Sequence, residues 1–167
     1  FECDTFFNYT IPTIAGPILK EASNSDAVRT AELILERAGV DRGLAVVVGL
    51  SDGRLLRELV RASRLRFVAV DDNPERVAQV RKSLSDIYGV RVSVHLVDNL
   101  EAVPFVGHCA NLVTSERRLD SSLPTTTDET LRLLRPDGGA AVFGQTSRAT
   151  DEGLSSVLLR AAETADD

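Results

Sequence analysis

A regular alternation of apolar strands and amphipathic helices is the sequence feature that most constrains the fold. Residues 44–48 (LAVVV) form a continuous apolar run, which is typical of a strand buried on both faces of a parallel sheet. A helix is predicted over residues 54–62, directly after this strand. The pattern then repeats with no two strands joined by a hairpin turn. It therefore predicts crossover connections and an α/β, doubly wound, mainly parallel sheet with helices on both faces.

The predicted elements cover most of the chain after residue 22. The predicted strands are residues 44–48, 67–70, 90–97, 110–114 and 140–143. The predicted helices are residues 23–38, 54–62, 74–87, 127–134 and 152–164. Residues 1–22 fit no clear element and are interpreted as an N-terminal arm or linker, whereas residues 23–167 form one α/β domain. Because the chain opens on Phe1 in mid-pattern, we expect it to be part of a longer protein.

Composition argues against several classes of partner. The chain has 167 residues, 43% of them hydrophobic, which suits a single buried core. It carries 19 basic and 25 acidic residues and has no Lys/Arg-rich run, so no nucleic-acid partner is expected. No apolar stretch reaches the roughly 18 residues of a membrane span. The sequence carries no signal that assigns a cellular compartment.

The cysteines and histidines do not form a metal-ligand pattern. Cys3 and Cys109 stand alone, without a CxxC motif, and His95 and His108 have no ligand spacing around them. The sequence therefore predicts no metal site.

The loop after the first predicted strand, GLSDG at residues 49–53, allows three interpretations. A dinucleotide-binding G-x-G-x-x-G motif would need glycine at position 54, where the chain has Arg54. The string also matches the G-x-S-x-G elbow of hydrolases, but that site needs a histidine downstream and none follows His108. The third interpretation is a tight turn of small residues that lets the backbone approach an adenosyl ligand, and this one is favoured.

Asp71 ends the second predicted strand, about twenty residues after the loop, where nucleotide-binding folds place an acidic residue. A carboxylate there can accept hydrogen bonds from both hydroxyls of a ribose. Alternatively, Asp71, Asp72 and Asn73 only cap the helix that begins at Pro74.

Five segments, taken in order, resemble a known family. They are VVVGLSDGRL (46–55), VAVDDNPERVAQVRKSL (68–84), VHLVDNLEAVPF (94–105), ANLVTSE (110–116) and LLRPDGGAAVFG (133–144). From about residue 26 to residue 164 the chain resembles a class I S-adenosylmethionine (SAM)-dependent methyltransferase domain, which implies a Rossmann-like fold. It also resembles the methyltransferase-like domains of large bacterial proteins with PQQ-like (quinoprotein-like) β-propeller repeats. That resemblance implies flanking domains of a longer chain as partners.

The resemblance implies SAM as the cofactor and assigns residues to it. The implied cofactor-binding residues are Gly49, Leu50, Ser51, Gly53, Asp71, Asp72, Asp98, Asn99 and Ser115. The glycine-rich loop would contact the adenosyl and methionine parts, Asp71 would bind the ribose with Asp72 beside it, and Asp98 or Asn99 would bind the adenine amine. Glu116, past the fourth strand, and His108, before it, are the two candidates for a catalytic base.

Three departures from the family pattern leave two functions open. Val47 stands where the family has an acidic residue, Ser51 replaces the central glycine, and the chain ends before the terminal antiparallel hairpin. One hypothesis is a SAM-dependent methyltransferase with an unidentified acceptor. The alternative is a non-catalytic methyltransferase-like module with a degenerate cofactor loop, serving a ligand-sensing or packing role in a larger β-propeller protein.

Overall fold

The architecture is known from a computed structural model that describes residues 25–117, 125–145 and 155–160. The helices are α1 (Ser25–Ala38), α2 (Arg54–Ala62), α3 (Pro74–Ser83) and α4 (Thr127–Leu133). The strands are β1 (Arg42–Val48), β2 (Arg64–Asp71), β3 (Val92–Leu96), β4 (Leu112–Thr114), β5 (Ala140–Gln145) and β6 (Ser155–Arg160). Residues 1–22, predicted as an arm or linker, lie outside the described residues.

The strands form one sheet in the order β3-β2-β1-β4-β5-β6. The first five strands run parallel to their neighbours, as the alternation predicts. Chain order runs outward from β1 in one direction and from β4 in the other, so the topological switch point lies between these two strands. Ligands of doubly wound sheets bind at such a point, beyond the carboxyl ends of the strands.

The sheet is covered on both faces, which explains the uninterrupted apolar run of β1. Ala45 and Val47 belong to the core cluster that contains buried residues of α1, α2 and α3. Val46 and Val48 belong to the cluster on the opposite face, with Leu133 of α4. Since successive side chains of a strand point to opposite faces, a strand covered on both sides must be apolar at every position. The predicted doubly wound fold with helices on both faces is confirmed.

The C-terminal part of the sheet corrects the sequence prediction. Residues 152–164 were expected to form a helix, but Ser155–Arg160 form β6, paired antiparallel to β5 from Ala140↔Arg160 to Gln145↔Ser155. The chain therefore does contain antiparallel pairing at this end of the sheet, where the sequence predicted none. Without β6 the backbone groups of β5 would form an open sheet edge, and pairing with that edge overrides a helix-compatible apolar spacing.

Other boundaries differ by a few residues. The helix predicted to reach residue 87 ends at Ser83, and the strand predicted from residue 110 begins at Leu112, with Ala110 forming only an isolated bridge to Leu134. Within the described residues, no helix is long and apolar enough to cross a membrane. In that same part of the chain, no three His, Cys, Asp or Glu side chains lie together as metal ligands would.

Phe67 tests how far stability depends on the larger core cluster. Phe67 in β2 is 1% exposed. Truncation to alanine leaves a cavity in a core packed from both sides, so Phe67→Ala is expected to lower the free energy of unfolding by about 3–5 kcal/mol. Chemical denaturation measures this change. Val106→Ala is the matched control, because Val106 is 82% exposed and its truncation should cost less than about 0.5 kcal/mol. Equal losses for the two variants would contradict this assignment of the core.

Candidate functional site

The carboxyl ends of β1, β2 and β4 bring most of the predicted site residues together. Residues 49–53 follow β1, Asp71 ends β2, and Ser115 and Glu116 follow β4 directly. Hydrogen bonds join the three segments: Glu116 N donates to Gly49 O (3.0 Å), and Leu50 N donates to Asp71 Oδ2 (2.6 Å). The predicted loop and the predicted ribose acid are therefore direct neighbours at the switch point.

The loop after β1 depends on two glycines with left-handed backbone. Gly49 has φ 84° and Gly53 has φ 81°, a conformation that L side chains adopt only with strain. Gly49 N donates to Val70 O of β2 (2.9 Å), and Leu50 packs into the core at 1% exposure. Ser51 is exposed. The loop thus turns tightly over the end of β1 and presents its backbone to the carboxyl edge.

Glu116 fixes this loop. Its Oε2 accepts hydrogen bonds from Ser51 N (3.0 Å) and Gly53 N (3.1 Å), and its Oε1 accepts one from Leu56 N (2.8 Å). The N-cap residue of α2, Gly53, has no side chain to cap the helix. A carboxylate at this position satisfies amides that the helix leaves unpaired and interacts favourably with the positive end of the helix dipole.

The environment of Glu116 changes its acidity but not its structural role. Burial raises the pKa of Glu116, whereas the amides of Ser51, Leu56 and Gly53 act to lower it and the charge of Asp52 raises it again. Because both carboxylate oxygens are engaged by the backbone, Glu116 serves to hold the loop. The structure gives it a role that the sequence did not predict, with three of the roughly four acceptor positions of its carboxylate taken by backbone amides.

Ser115 is also engaged by the backbone. It is buried, donates from Oγ to Gly49 O (3.2 Å) and accepts at Oγ from Arg117 N (2.9 Å). Its side chain connects the end of β4 to Gly49, the first glycine of the loop, and so helps to hold the loop in place.

Asp71 is the most heavily hydrogen-bonded acid at this edge. It is fully buried, at 0% exposure. Its Oδ1 accepts from Asn73 N (2.9 Å) and Arg76 Nη1 (2.9 Å), and its Oδ2 accepts from Leu50 N (2.6 Å) and Arg117 Nη2 (2.9 Å). Burial by itself raises the pKa of Asp71, but the amide hydrogen bonds and the guanidinium of Arg117 outweigh it, and the net pKa lies below the usual value of 3.8.

The capping interpretation of the same segment divides between two residues. The side chain of Asn73 caps α3 by accepting from Glu75 N (2.9 Å) and Arg76 N (3.0 Å). The carboxylate of Asp71 accepts from Asn73 N and thereby shapes the turn before the helix. Asp71 therefore connects the turn, the loop after β1 and two guanidinium groups, while Asn73 alone provides the cap.

Arg117 is the site residue that the sequence analysis missed. Its Nη2 bridges Asp71 Oδ2 (2.9 Å) and Asp72 Oδ1 (2.5 Å). Its side chain lies directly on Gly49, because a Cβ at Gly49 would approach Arg117 Cδ to 2.9 Å. Its Nε is buried and has no hydrogen-bond partner among the described residues. The sequence did contain a signal for this contact. Arg117 follows the fourth strand, and Asp71 and Asp72 stand at the end of the second strand, so the carboxyl ends of two parallel strands place them at the same sheet edge.

Asp98 and Asn99 lie at the same edge but farther along it. Both are exposed and follow β3, and the preceding residue, Val97, donates from its backbone N to Asp71 O (3.0 Å). Asn99 Oδ1 accepts from Glu101 N (2.8 Å), which starts the next turn. The predicted adenine-side residues therefore flank the pocket on the β3 side.

An ion pair between buried Glu129 and partly exposed Arg132 holds the loop after Asp98 and Asn99 on α4. Glu129 Oε1 accepts from Val103 N (2.7 Å), and Glu129 also pairs with Arg132 (2.6 Å). Arg132 in turn donates to the carbonyls of Phe105 (2.7 Å) and Val103 (2.8 Å). The hydrogen bond from Arg132 lowers the pKa of Glu129. The loop that follows Asp98 and Asn99 is thereby fixed to the helix.

Neither His108 nor Val47 adds a polar group to the carboxyl edge. His108 precedes β4, at the amino-terminal edge of the sheet, where its Nδ1 lies 3.2 Å from Leu134 O and its backbone has φ 59°. The structure does not bring it together with the other site residues. Val47 lies within β1 at 0% exposure, in the apolar core, so no carboxylate stands at that position.

The loop geometry does not support the hydrolase interpretation. A nucleophile elbow places its serine on a strained turn. His108 is the one non-glycine residue with positive φ in the described part of the chain, so Ser51 does not have the strained left-handed backbone. His108 itself lies at the opposite edge of the sheet. The described residues therefore do not assemble a serine-histidine pair at the loop.

Comparisons with known proteins give a consistent result. The sequence profile of the family described as "Methyltransferase domain" matches residues 45–138. No curated protein matches the chain significantly. Many solved structures are similar to it in fold, at low sequence identity.

Three of these structures illustrate the similarity. A proposed S-adenosyl-L-methionine-dependent methyltransferase from Methanococcus maripaludis has TM-score 0.61 and 22% identity, with 71% of this chain and 54% of that chain covered. Geranyl diphosphate methyltransferase in complex with SAM has TM-score 0.58 and 17% identity, with 71% and 48% covered. The [4+2]-cyclase SpnF has TM-score 0.60 and 18% identity, with 79% and 52% covered. The chain thus spans about half the length of these proteins.

Removing the Glu116 carboxylate should loosen the loop. In Glu116→Ala the amides of Ser51, Gly53 and Leu56 lose their acceptor, as in the loss of a strong helix cap. The free energy of unfolding should fall by about 2 kcal/mol. Urea denaturation measures the change, and hydrogen exchange at the three amides should accelerate with it. Glu32→Ala removes an exposed mid-helix acid of α1 and is the control, with an expected change below about 0.5 kcal/mol. Unchanged exchange at the three amides would refute the capping role.

Asp71 should make stability depend on pH in the acid range. Its folded-state pKa is lower than its ordinary value of 3.8, so its contribution is present above that pH and is lost as the pH falls through the folded-state pKa. Asp71→Asn removes the contribution, deprives Arg76 of the Asp71 carboxylate and leaves Arg117 with Asp72 alone, at a cost of about 3 kcal/mol near neutral pH.

The stability difference between wild type and Asp71→Asn is therefore expected to shrink as the pH falls below about 4. Urea denaturation of both proteins across this range measures it. Asp41→Asn, a change at an exposed acid of the opposite sheet edge, should show no such pH-dependent difference. A difference for Asp71→Asn that stays constant with pH would contradict the ionised, hydrogen-bonded state of Asp71.

Proposed function

Because the chain belongs to the methyltransferase domain family, we propose that it binds SAM at the carboxyl edge of its sheet and transfers the methyl group to an acceptor. One observation carries the proposal: the left-handed loop of residues 49–53 is bonded directly to Asp71, a fully buried acid at the end of β2. Both lie within the matched residues 45–138. A turn of this kind, followed by an acid on the next strand, is how doubly wound folds hold a nucleoside.

The proposed cofactor contacts follow the order of the strands. The backbone of Gly49, Leu50, Ser51 and Gly53 would lie against the adenosyl and methionine parts. Asp71, with Asp72 beside it, would accept from the ribose hydroxyls, and Asp98 or Asn99 would accept from the adenine amine at the β3 side of the pocket. Ser115 would support the loop from β4 through its bond to Gly49 O (3.2 Å).

The residues of the site fit the cofactor on one condition. Gly49 has no Cβ, and the Arg117 side chain packs against it, with Cδ, Nε and Cγ only 2.9–3.1 Å from where a Cβ would lie. Asp71 already accepts from two amides and two arginines. The ribose hydroxyls therefore gain access to Asp71 when Arg117 moves off the loop.

The domain would contribute orientation rather than acid–base chemistry. When bound, SAM supplies an electrophilic methyl group on a sulfonium. The loop held by Glu116 and the buried Asp71 would hold the ribose in one position. Such positioning by itself lowers the free-energy barrier of a reaction by several kcal/mol, on the order of 7 in favourable cases. Glu116 is engaged by three amides and His108 lies at the other edge, so an acceptor whose nucleophile is unprotonated at neutral pH suits this site best.

The second candidate is a non-catalytic methyltransferase-like module. Two features of the site bear on it: Val47 is buried in the core, and Glu116 and Arg117 satisfy the loop amides and Asp71 from within the protein. In this alternative the domain would sense a ligand or pack against flanking domains of a longer chain, and PQQ-like propeller repeats in that chain stay a prediction.

Calorimetric titration distinguishes the two candidates. SAM and S-adenosylhomocysteine are each titrated into the folded domain, and micromolar binding that Asp71→Ala abolishes is expected if the cofactor proposal is right. Asp41→Ala is the control, since Asp41 is exposed at the opposite edge and its loss should leave binding unchanged. NAD in the same titration tests the dinucleotide interpretation. Folded domains that give no heat with SAM or S-adenosylhomocysteine, in the wild type and in Arg117→Ala alike, would rule out the methyltransferase in favour of the module.

A further inference from the structure

We propose that Arg117 competes with the ribose of the cofactor for Asp71 and so sets the affinity of the site. This inference rests on the proposed function, since it concerns the same pocket. It assigns to Arg117 a role in cofactor affinity that neither the family match nor the fold implies.

The first step is the hydrogen-bonding capacity of Asp71. A carboxylate offers about four lone-pair positions. Asn73 N and Arg76 Nη1 donate to Oδ1, and Leu50 N and Arg117 Nη2 donate to Oδ2. Arg76 Nη1 also donates to Oδ2, at 3.1 Å. The acceptor capacity is thus fully used, and a ribose hydroxyl can bond to Asp71 only by replacing one of these donors.

The second step is which donor can leave. The amides of Leu50 and Asn73 belong to the loop and the turn that define the pocket, and Arg76 lies in the first turn of α3, whose backbone is fixed by the Asn73 cap. Arg117 is different because it comes from the segment after β4 and reaches across β1 to the end of β2. The side chains of both arginines are about one-third exposed, 33% for Arg76 and 30% for Arg117, so water can take over the hydrogen bonds of either one. The distinction between them is therefore the backbone segment from which each side chain comes.

The third step is the balance of charge. Asp71 and Asp72 face Arg76 and Arg117, so the observed arrangement is close to neutral. When Arg117 moves away, Arg76 remains to compensate the buried Asp71, and Asp72, whose side chain is 46% exposed, can be hydrated. Departure of Arg117 therefore leaves no buried charge uncompensated, which is the condition under which it can occur without unfolding the site.

The fourth step is the cost of the observed arrangement. Arg117 Nε is buried without a partner in the described part of the chain, and an unsatisfied buried donor is unfavourable. This penalty opposes the two ion pairs that hold Arg117 on the loop. The contact of Arg117 with Asp71 and Asp72 is therefore weaker than two ion pairs alone would imply. A ligand that brings its own hydrogen-bond donors to Asp71 can replace Arg117.

The test is calorimetric titration of the folded domain with S-adenosylhomocysteine, which carries no net charge at neutral pH. Wild type is compared with Arg117→Ala and with Arg117→Gln, which keeps most of the side-chain length without the charge. If the vacated state is about a tenth of the wild-type population, both variants should bind about tenfold more tightly. Arg42→Ala is the matched control, because Arg42 is exposed at the amino-terminal edge and its loss should leave the affinity unchanged.

Salt provides a second readout. Ion pairs that are partly exposed weaken as the ionic strength rises, so salt should release Arg117 from the two aspartates. Wild-type affinity for S-adenosylhomocysteine is expected to rise between about 0.05 M and about 0.5 M salt. The affinity of Arg117→Ala should change much less, because the competitor is absent.

The possible outcomes separate this inference from the proposed function. Tighter binding in both Arg117 variants, or binding in the variants alone, supports the competition. Wild-type binding that neither variant exceeds, in domains shown to be folded by circular dichroism, overturns the competition and leaves the cofactor proposal intact. Absence of binding in the wild type and in both variants overturns the proposed function and this inference together.

Discussion

The buried carboxylate of Asp71 is the interaction on which the carboxyl edge of this protein depends. A fully buried charge is stable only when its hydrogen bonds are satisfied, and here the donors come from four segments: the loop after β1, the turn after β2, α3 and the segment after β4. Satisfying one group therefore fixes the relative positions of all four. The pocket geometry follows from this requirement rather than from any single loop sequence.

Glu116 and Arg117 satisfy the polar groups at this edge from within the protein. Glu116 supplies a carboxylate to the amides at the start of α2, and Arg117 supplies donors to the acid expected to bind a ribose. A site complementary to a charged, hydrogen-bonding ligand must satisfy the same groups when the ligand is absent, because unsatisfied buried polar groups are costly. Glu116 and Arg117 are adjacent residues of the segment after β4. The position of this segment therefore couples the conformation of the loop after β1 to the access of a ligand to Asp71.

Prediction from sequence succeeded where the signal was local. The apolar run of β1, the glycines at 49 and 53, and Asp71 at the end of β2 each follow from the residues themselves, and the structure places them at the predicted edge. Prediction failed for the contacts of Arg117 and Glu116 because their partners are distant in the chain. Asp71 lies 46 residues from Arg117, and the amides that Glu116 binds lie about 60 residues from it. Prediction also failed for β6, where pairing with the β5 edge overrides local periodicity.

The sequence by itself therefore determined the fold class, the family and the edge of the sheet at which a ligand would bind, since strand burial, helix periodicity and glycine conformation are properties of short segments. Only the tertiary structure decided which side chains face that edge and what they contact. It joined Arg117 to Asp71 and Asp72, fixed Glu116 to the helix amides, and placed His108 at the opposite edge. The physical reason is that contacts across a parallel sheet are set by strand order, which no local pattern encodes.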